Sequence, residues 1–237
     1  MLTRNPIIAA LDVPGLEQAE KLAKELAPAV GAFKIGKELF VAAGPEVVKR
    51  IRATGASVFL DLKFHDIPNT VARAVASACR LDVQMLTVHA SGGRQMMEAA
   101  EQAVRSFAGG TGAKPPLVLG VTVLTSSNES TLAETGCAGG VEEQVLRLAS
   151  LAVQSGLPGL VCSPREISLL RKVLPRHFQL VTPGIRTGNE PPDDQKRTLT
   201  PREAIQAGAD WLVVGRPITA APNPRAAAEA ILAGLEG

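Results

Sequence analysis

The chain has 237 residues, of which 46% are hydrophobic and 20% are charged, and its formal net charge is +2 at pH 7. Aromatic residues make up only 3%, without a tyrosine, so the chain lacks the basic face and the stacking aromatics of a nucleic-acid binder. No apolar run has the length of a membrane span or a signal peptide, and Cys79, Cys137 and Cys162 include no C-x-x-C pair. We therefore expect a cytoplasmic protein with free thiols and without nucleic-acid or membrane partners.

Short apolar runs alternate along the chain with amphipathic, alanine-rich segments. The predicted strands are Ile7–Leu11, Ala32–Ile35, Ser57–Leu62, Met85–Val88, Leu117–Val123, Gly159–Cys162, Gln179–Thr182 and Trp211–Val214. The predicted helices are Leu16–Leu26, Pro45–Thr54, Thr70–Leu81, Arg94–Phe107, Val141–Ser155, Pro164–Leu174, Pro201–Ala207 and Pro224–Leu235. Several of these helices open with a proline in the first turn and close before a glycine, which is the usual pattern at helix ends.

The regular alternation predicts the fold class. Eight strands, each followed by a helix, indicate a parallel sheet, and near-continuous apolar strands indicate that both faces of the sheet are covered. Eight such units in 237 residues match a (β/α)8 barrel. The alternative is a doubly wound open sheet, but "ALDVPG" lacks the glycine fingerprint that normally follows its first strand. We predict an α/β protein with a single (β/α)8 TIM barrel as catalytic domain over residues 1–237.

Two long polar segments follow predicted strands, at residues 125–140 and 187–200. Both are rich in turn-forming residues and poor in apolar anchors, so we predict surface loops. Loops after barrel strands build the active site, which makes the 187–200 loop a candidate lid. The alternative is a loop that is merely solvated.

The reactive residues of the chain lie at the C-terminal ends of the predicted strands. Barrel enzymes assemble their active sites at this mouth, so we expect these side chains to meet there. In chain order they are Asp12, Lys34, Asp61 with Lys63, His89, Thr125 with Ser126, Gly184 with Arg186, and Gly215 with Arg216.

The stretch "FLDLKFHDIPNT", residues 59–70, crowds ionisable groups onto the end of an apolar strand. Asp61 and Lys63 are two residues apart, so both side chains point the same way, toward the mouth where Asp12 and Lys34 arrive. Carboxylates keep neighbouring lysines charged, and a charged lysine is a positioned proton donor that also stabilises negative charge on a substrate carbon. The alternative is a structural ion network at the rim, which the cost of desolvating four charges disfavours.

The same residues bear on metal binding. Asp61 and Asp66 offer oxygen ligands, but Lys34 and Lys63 bring two positive charges to the same place and repel a divalent cation. His89 suits a ligand, a base or a hydrogen-bonded structural histidine equally well. We predict a site without a metal.

Glycine and arginine follow the last two strands, in "TPGIR" and "VVGRP". Glycine lets backbone N–H groups approach an anion, and arginine pairs with phosphate oxygens. The loops after strands seven and eight are the usual phosphate site of a barrel. The alternative is a pair of arginines bound to local carboxylates. The residues alone thus predict a barrel enzyme for a small phosphorylated substrate and do not name that substrate.

The stretch "DLKFHDIPNT" resembles the signature of the orotidine 5′-phosphate decarboxylase family, in its bacterial-type branch. The resemblance extends along the chain through "ALDVP", "FKIGKELF", "LTVHASGG", "VTVLTS", "TPGIR", "DDQKR" and "VVGRPIT". It implies decarboxylation of orotidine monophosphate to UMP, in de novo pyrimidine synthesis, by a homodimer that uses no metal and no cofactor.

The resemblance also implies residue roles. Lys63 is expected to protonate C6, Asp61 to lie against the leaving carboxylate, Lys34 to hold Asp61 and a ribose hydroxyl, and Asp12 to bind ribose. Asp66 and Thr70 are expected to reach the site of the partner subunit, where Asp66 completes the catalytic Lys–Asp–Lys–Asp array across the dimer. The other expected substrate contacts are Ile67, Thr125, Ser126 and Pro183, with Arg186, Gln195, Gly215 and Arg216 at the phosphate.

Two rival functions remain. A magnesium-dependent sugar-phosphate decarboxylase or aldolase shares the D-x-K-x-x-D core but is expected to carry an acidic residue where this chain has Lys34. A non-catalytic nucleotide-binding relative has no need of a proton donor such as Lys63.

Overall fold

The computed structural model describes residues 4–187 and 198–236, and its eight strands form a closed parallel barrel. The strands are β1 (Ile7–Ala10), β2 (Ala32–Gly36), β3 (Val58–Phe64), β4 (Met85–His89), β5 (Leu117–Val121), β6 (Gly159–Val161), β7 (Gln179–Thr182) and β8 (Trp211–Val214). Each strand pairs with the next, and β8 closes on β1, where Ala9 lies between Phe33 and Val214. The predicted barrel is confirmed, and the open sheet is excluded.

Helices surround the strands. They are α1 (Leu16–Leu26), α2 (Lys37–Ala43), α3 (Glu46–Arg52), α4 (Pro68–Cys79), α5 (Arg94–Thr111), α6 (Glu129–Glu134), α7 (Val141–Gln154), α8 (Ile167–Arg171), α9 (Pro201–Ala207), α10 (Arg216–Thr219) and α11 (Pro224–Glu236). The described part of the chain also contains two 3₁₀ turns, Ala90–Gly92 and Pro164–Glu166. None of the helices in the described ranges is long and apolar enough to cross a membrane.

Three short helices, α2, α6 and α10, were not predicted. The α6 helix lies inside the 125–140 segment, so the predicted surface loop is at the surface but is helical in part. Asn128 caps this helix by accepting a hydrogen bond from the backbone N–H of Thr131 at 3.0 Å. A six-residue helix is too short to show a hydrophobic period, and the cap is its main sequence signal.

The core has two layers because side chains alternate along each strand. On β1, Ile7 and Ala9 belong to the layer between strands and helices, whereas Ile8 and Ala10 belong to the barrel interior. The interior cluster is Ile8, Ala10, Ala32, Phe59, Met85, Leu119, Val181 and Val213. This packed interior closes the barrel below its mouth and leaves the strand ends to form a site.

The β3 strand departs from regular pairing where its charged residues lie. Leu60 pairs with Leu86 and Phe64 pairs with Val88, so three residues of β3 face the single residue Thr87 of β4. At this bulge Lys63 has a φ of 52°, in the left-handed region that residues other than glycine seldom occupy. A bulge re-aims side chains near its position, and here it, rather than regular alternation, determines the direction of Lys63.

Candidate active site

A cavity of about 440 Å³ opens at the C-terminal ends of the strands. Its apolar wall includes Ala10, Phe59, Val121, Val123, Val161, Cys162 and Val213. Among the described residues, its charged lining consists of Asp12, Lys34, Asp61, Lys63, Arg186 and Arg216. These described side chains are four cations and two carboxylates, a balance that suits an anionic ligand.

Asp61 and Lys63 form an ion pair inside the cavity. The Lys63 Nζ lies 2.7 Å from Asp61 Oδ2, and the side chains are 24% and 12% exposed respectively. The Thr87 hydroxyl donates a hydrogen bond to the other oxygen, Asp61 Oδ1, at 3.0 Å. The carboxylate is therefore held at both oxygens while the ammonium still faces the cavity.

Lys34 and Asp12 form a second ion pair, 2.8 Å from Nζ to Oδ1. Lys34 is on β2 and Asp12 follows β1, and these neighbouring strands bring the two side chains together. The structure does not show the expected contact between Lys34 and Asp61, since Lys34 pairs with Asp12 and Asp61 pairs with Lys63 on its own strand. The array is thus two separate Asp–Lys pairs that face one cavity.

The end of β7 and the end of β8 form the cationic side of the cavity. Gly184, Arg186, Gly215 and Arg216 all line it. The N–H of Arg186 donates to the carbonyl of Leu199 at 3.0 Å, and the N–H of Leu199 donates to the carbonyl of Gly184 at 3.3 Å. These bonds fix the segment that carries Arg186, whereas Gln195 lies outside the described residues.

The other expected substrate contacts fall into two groups. Thr125 and Pro183 line the cavity, whereas Ser126 is exposed and does not. Asp66, Ile67 and Thr70 also lie outside this cavity and are exposed, with Ile67 at 66%. The structure therefore does not bring Ser126, Ile67, Asp66 or Thr70 to the cavity of their own chain.

His89 stands at the end of β4, and its ring centroid is 5.4 Å from that of His65. Burial, followed by the charges of His65, Lys37 and Lys63, lowers the pKa of His89 to about 4. The imidazole is therefore neutral at pH 7. His89 is not among the residues that line the cavity, which favours the structural histidine among its three predicted roles.

Sequence reasoning missed Thr87. This residue is fully buried and bonds to two of the three bulge residues, through Asp61 Oδ1 and through the backbone N–H of Lys63. A single hydroxyl inside the apolar run "MLTVH" gives no signal until the bulge opposite it is known.

The fold and this charged cavity define the class of the protein, a (β/α)8-barrel enzyme with its site at the strand ends. Residues 5–231 match the model of the Orotidine 5′-phosphate decarboxylase / HUMPS family. The chain belongs to this family.

Individual members of this family are similar to the chain over nearly its full length. The chain is 54% identical to the orotidine 5′-phosphate decarboxylase of Syntrophotalea carbinolica, over 97% of this chain and 94% of that one. It is 51% identical to the enzyme of that name from Moorella thermoacetica, over 100% and 94% of the two chains. The crystal structure of the Lactobacillus acidophilus orotidine 5′-phosphate decarboxylase superposes with a TM-score of 0.87 at 40% identity, covering 98% of this chain and 100% of that one.

Proposed function

We propose that this chain decarboxylates orotidine 5′-phosphate to UMP and carbon dioxide without a metal or a cofactor. The observation that carries the proposal is the Asp61–Lys63 pair, which faces a cavity whose opposite side is cationic. Membership of the family, and relatives that bear this enzyme's name at about half identity over the full length, support the same reaction.

In this proposal Lys63 is the proton donor. Loss of the C6 carboxylate as carbon dioxide leaves an electron pair on a ring carbon, and an ammonium already in place lowers the energy of that charge. Lys63 then transfers its proton to C6 and regains one from solvent. Asp61 holds the ammonium at 2.7 Å and faces the leaving carboxylate.

The opposite side of the cavity binds the phosphate in this proposal. Arg186 and Arg216, with the glycine backbone of Gly184 and Gly215, offer an anion a set of charged and backbone donors. Asp12 follows β1 and Lys34 is on β2, and these two strands lie between the arginine side at β8 and the Asp61–Lys63 pair on β3. These two side chains suit the ribose hydroxyls. The phosphate lies far from C6, so its binding lowers the activation barrier of decarboxylation only if its contacts are stronger in the transition state than in the bound substrate. We expect a nucleoside without phosphate to lose kcat as well as affinity.

We also propose a homodimer in which each subunit lends residues to the other. Asp66 and Thr70 are exposed at the start of α4 and outside their own cavity, beside the exposed side chain of Ile67. A partner that covers this region would bury Ile67 and receive Asp66 and Thr70. Sedimentation at micromolar concentration should give the mass of a dimer.

The site chemistry supports a reaction without a metal. In the part of the chain that is described, no three His, Cys, Asp or Glu side chains come together as metal ligands. Lys34 and Lys63 also set two ammonium groups in the cavity, which repel a divalent cation.

The test is turnover of orotidine monophosphate, followed by the fall in ultraviolet absorbance, with EDTA present. The proposal expects turnover that EDTA does not reduce. A sugar phosphate with magnesium is assayed in parallel, because a magnesium-dependent sugar-phosphate decarboxylase or aldolase is the rival function. Activity only with the sugar phosphate and magnesium would replace the proposal, and binding of UMP without turnover would indicate a nucleotide-binding protein.

A further inference from the structure

We infer that Thr87 is a positioning residue of the active site, whose hydroxyl holds Lys63 and Asp61 in their working geometry. The inference concerns the reaction proposed above and rests on that proposal for its kinetic consequences. Its structural basis is independent of the substrate.

The bulge in β3 interrupts its regular pairing with β4 at Asp61 and Lys63, the two charged residues of the strand. Asp61, Leu62 and Lys63 together face Thr87, because the pairs on either side are Leu60 with Leu86 and Phe64 with Val88. Regular parallel pairing would give the N–H of Lys63 a backbone carbonyl as partner. Here that N–H donates instead to the side-chain oxygen of Thr87, at 2.8 Å.

The same hydroxyl makes a second bond in the opposite sense. The Thr87 hydroxyl donates a hydrogen bond to Asp61 Oδ1, with 3.0 Å between the oxygens, and Asp61 Oδ2 accepts a hydrogen bond from Lys63 Nζ at 2.7 Å. The Thr87 hydroxyl thus accepts a hydrogen bond from the backbone N–H of Lys63 and donates one to the carboxylate that holds the Lys63 side chain. Thr87 therefore links the two ends of Lys63 in one closed network.

The hydrogen bonds of Thr87 hold Lys63 in an unfavourable backbone conformation. Lys63 has a φ of 52°, a conformation that costs a lysine free energy and persists only where neighbouring groups enforce it. Thr87 is fully buried, so its hydrogen bonds are shielded from water. Without the hydroxyl, the N–H of Lys63 and one oxygen of Asp61 lose their partners, and the bulge is free to relax.

The consequence should appear in kcat rather than in KM. Thr87 does not line the cavity, so it has no direct part in binding the substrate. Moving a reacting group by about 1 Å can cost roughly a hundredfold in rate. We expect Thr87→Val to lower kcat by about 10- to 100-fold and to change KM by less than about threefold.

Two variants separate positioning from packing. Thr87→Ser retains the hydroxyl and should keep kcat within about fivefold of the wild type. Thr54→Val is the matched control, because Thr54 is a half-buried threonine just after α3 whose hydroxyl donates to the carbonyl of Ile51 at 2.7 Å, and neither residue lines the cavity. It should leave kcat unchanged within about twofold. If Thr87→Val does not fold, Thr87→Ala carries the same expectation, because it also removes the hydroxyl.

Amide hydrogen exchange of Lys63, measured by NMR, tests the network without any reaction. The Lys63 N–H should be protected in the wild type and in Thr87→Ser, and should exchange at least about tenfold faster in Thr87→Val. An unprotected Lys63 amide in the wild type would overturn the inference whatever the activity. So would a kcat of Thr87→Val within threefold of a wild type that turns over orotidine monophosphate. A wild type without turnover but with a protected Lys63 amide would reject the proposed function and leave the positioning role supported.

Discussion

Gly36 offers a probe of the Lys34–Asp12 pair that leaves both charges in place. It ends β2 with φ −91° and ψ −178°, a conformation open to any residue. A Cβ at this position would lie 3.0 Å from Lys34 Nζ and 3.4 Å from Asp12 Oδ1. Gly36→Ala therefore pushes the ammonium aside by several tenths of an ångström without straining the backbone.

The size of the effect follows from that displacement. A misplacement of about 1 Å can cost roughly a hundredfold in rate, so a shift of about half that size predicts a fall of about tenfold in kcat/KM. Stability should change by less than about 1 kcal/mol, because the entropy that alanine removes from the unfolded chain offsets the close contact and the poorer helix cap.

The assay compares kcat/KM for orotidine monophosphate and the urea midpoint of Gly36→Ala with those of Gly109→Ala. Gly109 lies in α5 with nothing near its added Cβ, so alanine there should raise the free energy of unfolding by about 0.5–1 kcal/mol and leave kcat/KM unchanged. A Gly36→Ala enzyme with wild-type kcat/KM would refute the role assigned to the Lys34–Asp12 pair.

Two further predictions concern pH and stability. Because the pKa of His89 is lowered from 6.5 to about 4, the unfolded chain binds a proton there that the folded protein does not. The free energy of unfolding should therefore fall as the pH is lowered from 6.5 to 4, with His89 contributing about 3 kcal/mol. His89→Gln should flatten this pH dependence in urea titrations, and an unchanged slope would contradict the assignment. Thr200 caps α9 in a reciprocal arrangement with Glu203, so Thr200→Ala should lower the free energy of unfolding by about 1 kcal/mol; a urea midpoint unchanged from the wild type would count against it.

The barrel could be predicted because its signals are local. Apolar runs, amphipathic helices and proline or glycine at helix ends located the eight strands within a few residues, and β7, β8, α1 and α9 match their predicted bounds. Short helices such as α10 were not predicted, because four residues are too few to show a helical period of apolar residues.

Part of the cavity lining could be predicted from the sequence, and the contacts within it less so. Placing ionisable residues at strand ends brought Asp12, Lys34, Asp61 and Lys63 to one cavity, as the structure has them. The pairing within that group depends on the β3 bulge, which regular alternation does not reveal. For the same reason the buried Thr87 had no visible role in the sequence.

If Lys63 supplies the proton for decarboxylation, its removal should reduce the kcat for orotidine monophosphate, which is measured for Lys63→Ala. Lys114→Ala is the control, since Lys114 is exposed and outside the cavity. We expect Lys63→Ala to lower kcat by about 10²- to 10⁴-fold in EDTA, the range for a positioned general acid, while the control is unchanged. A Lys63→Ala enzyme that retains wild-type turnover would contradict this role of Lys63.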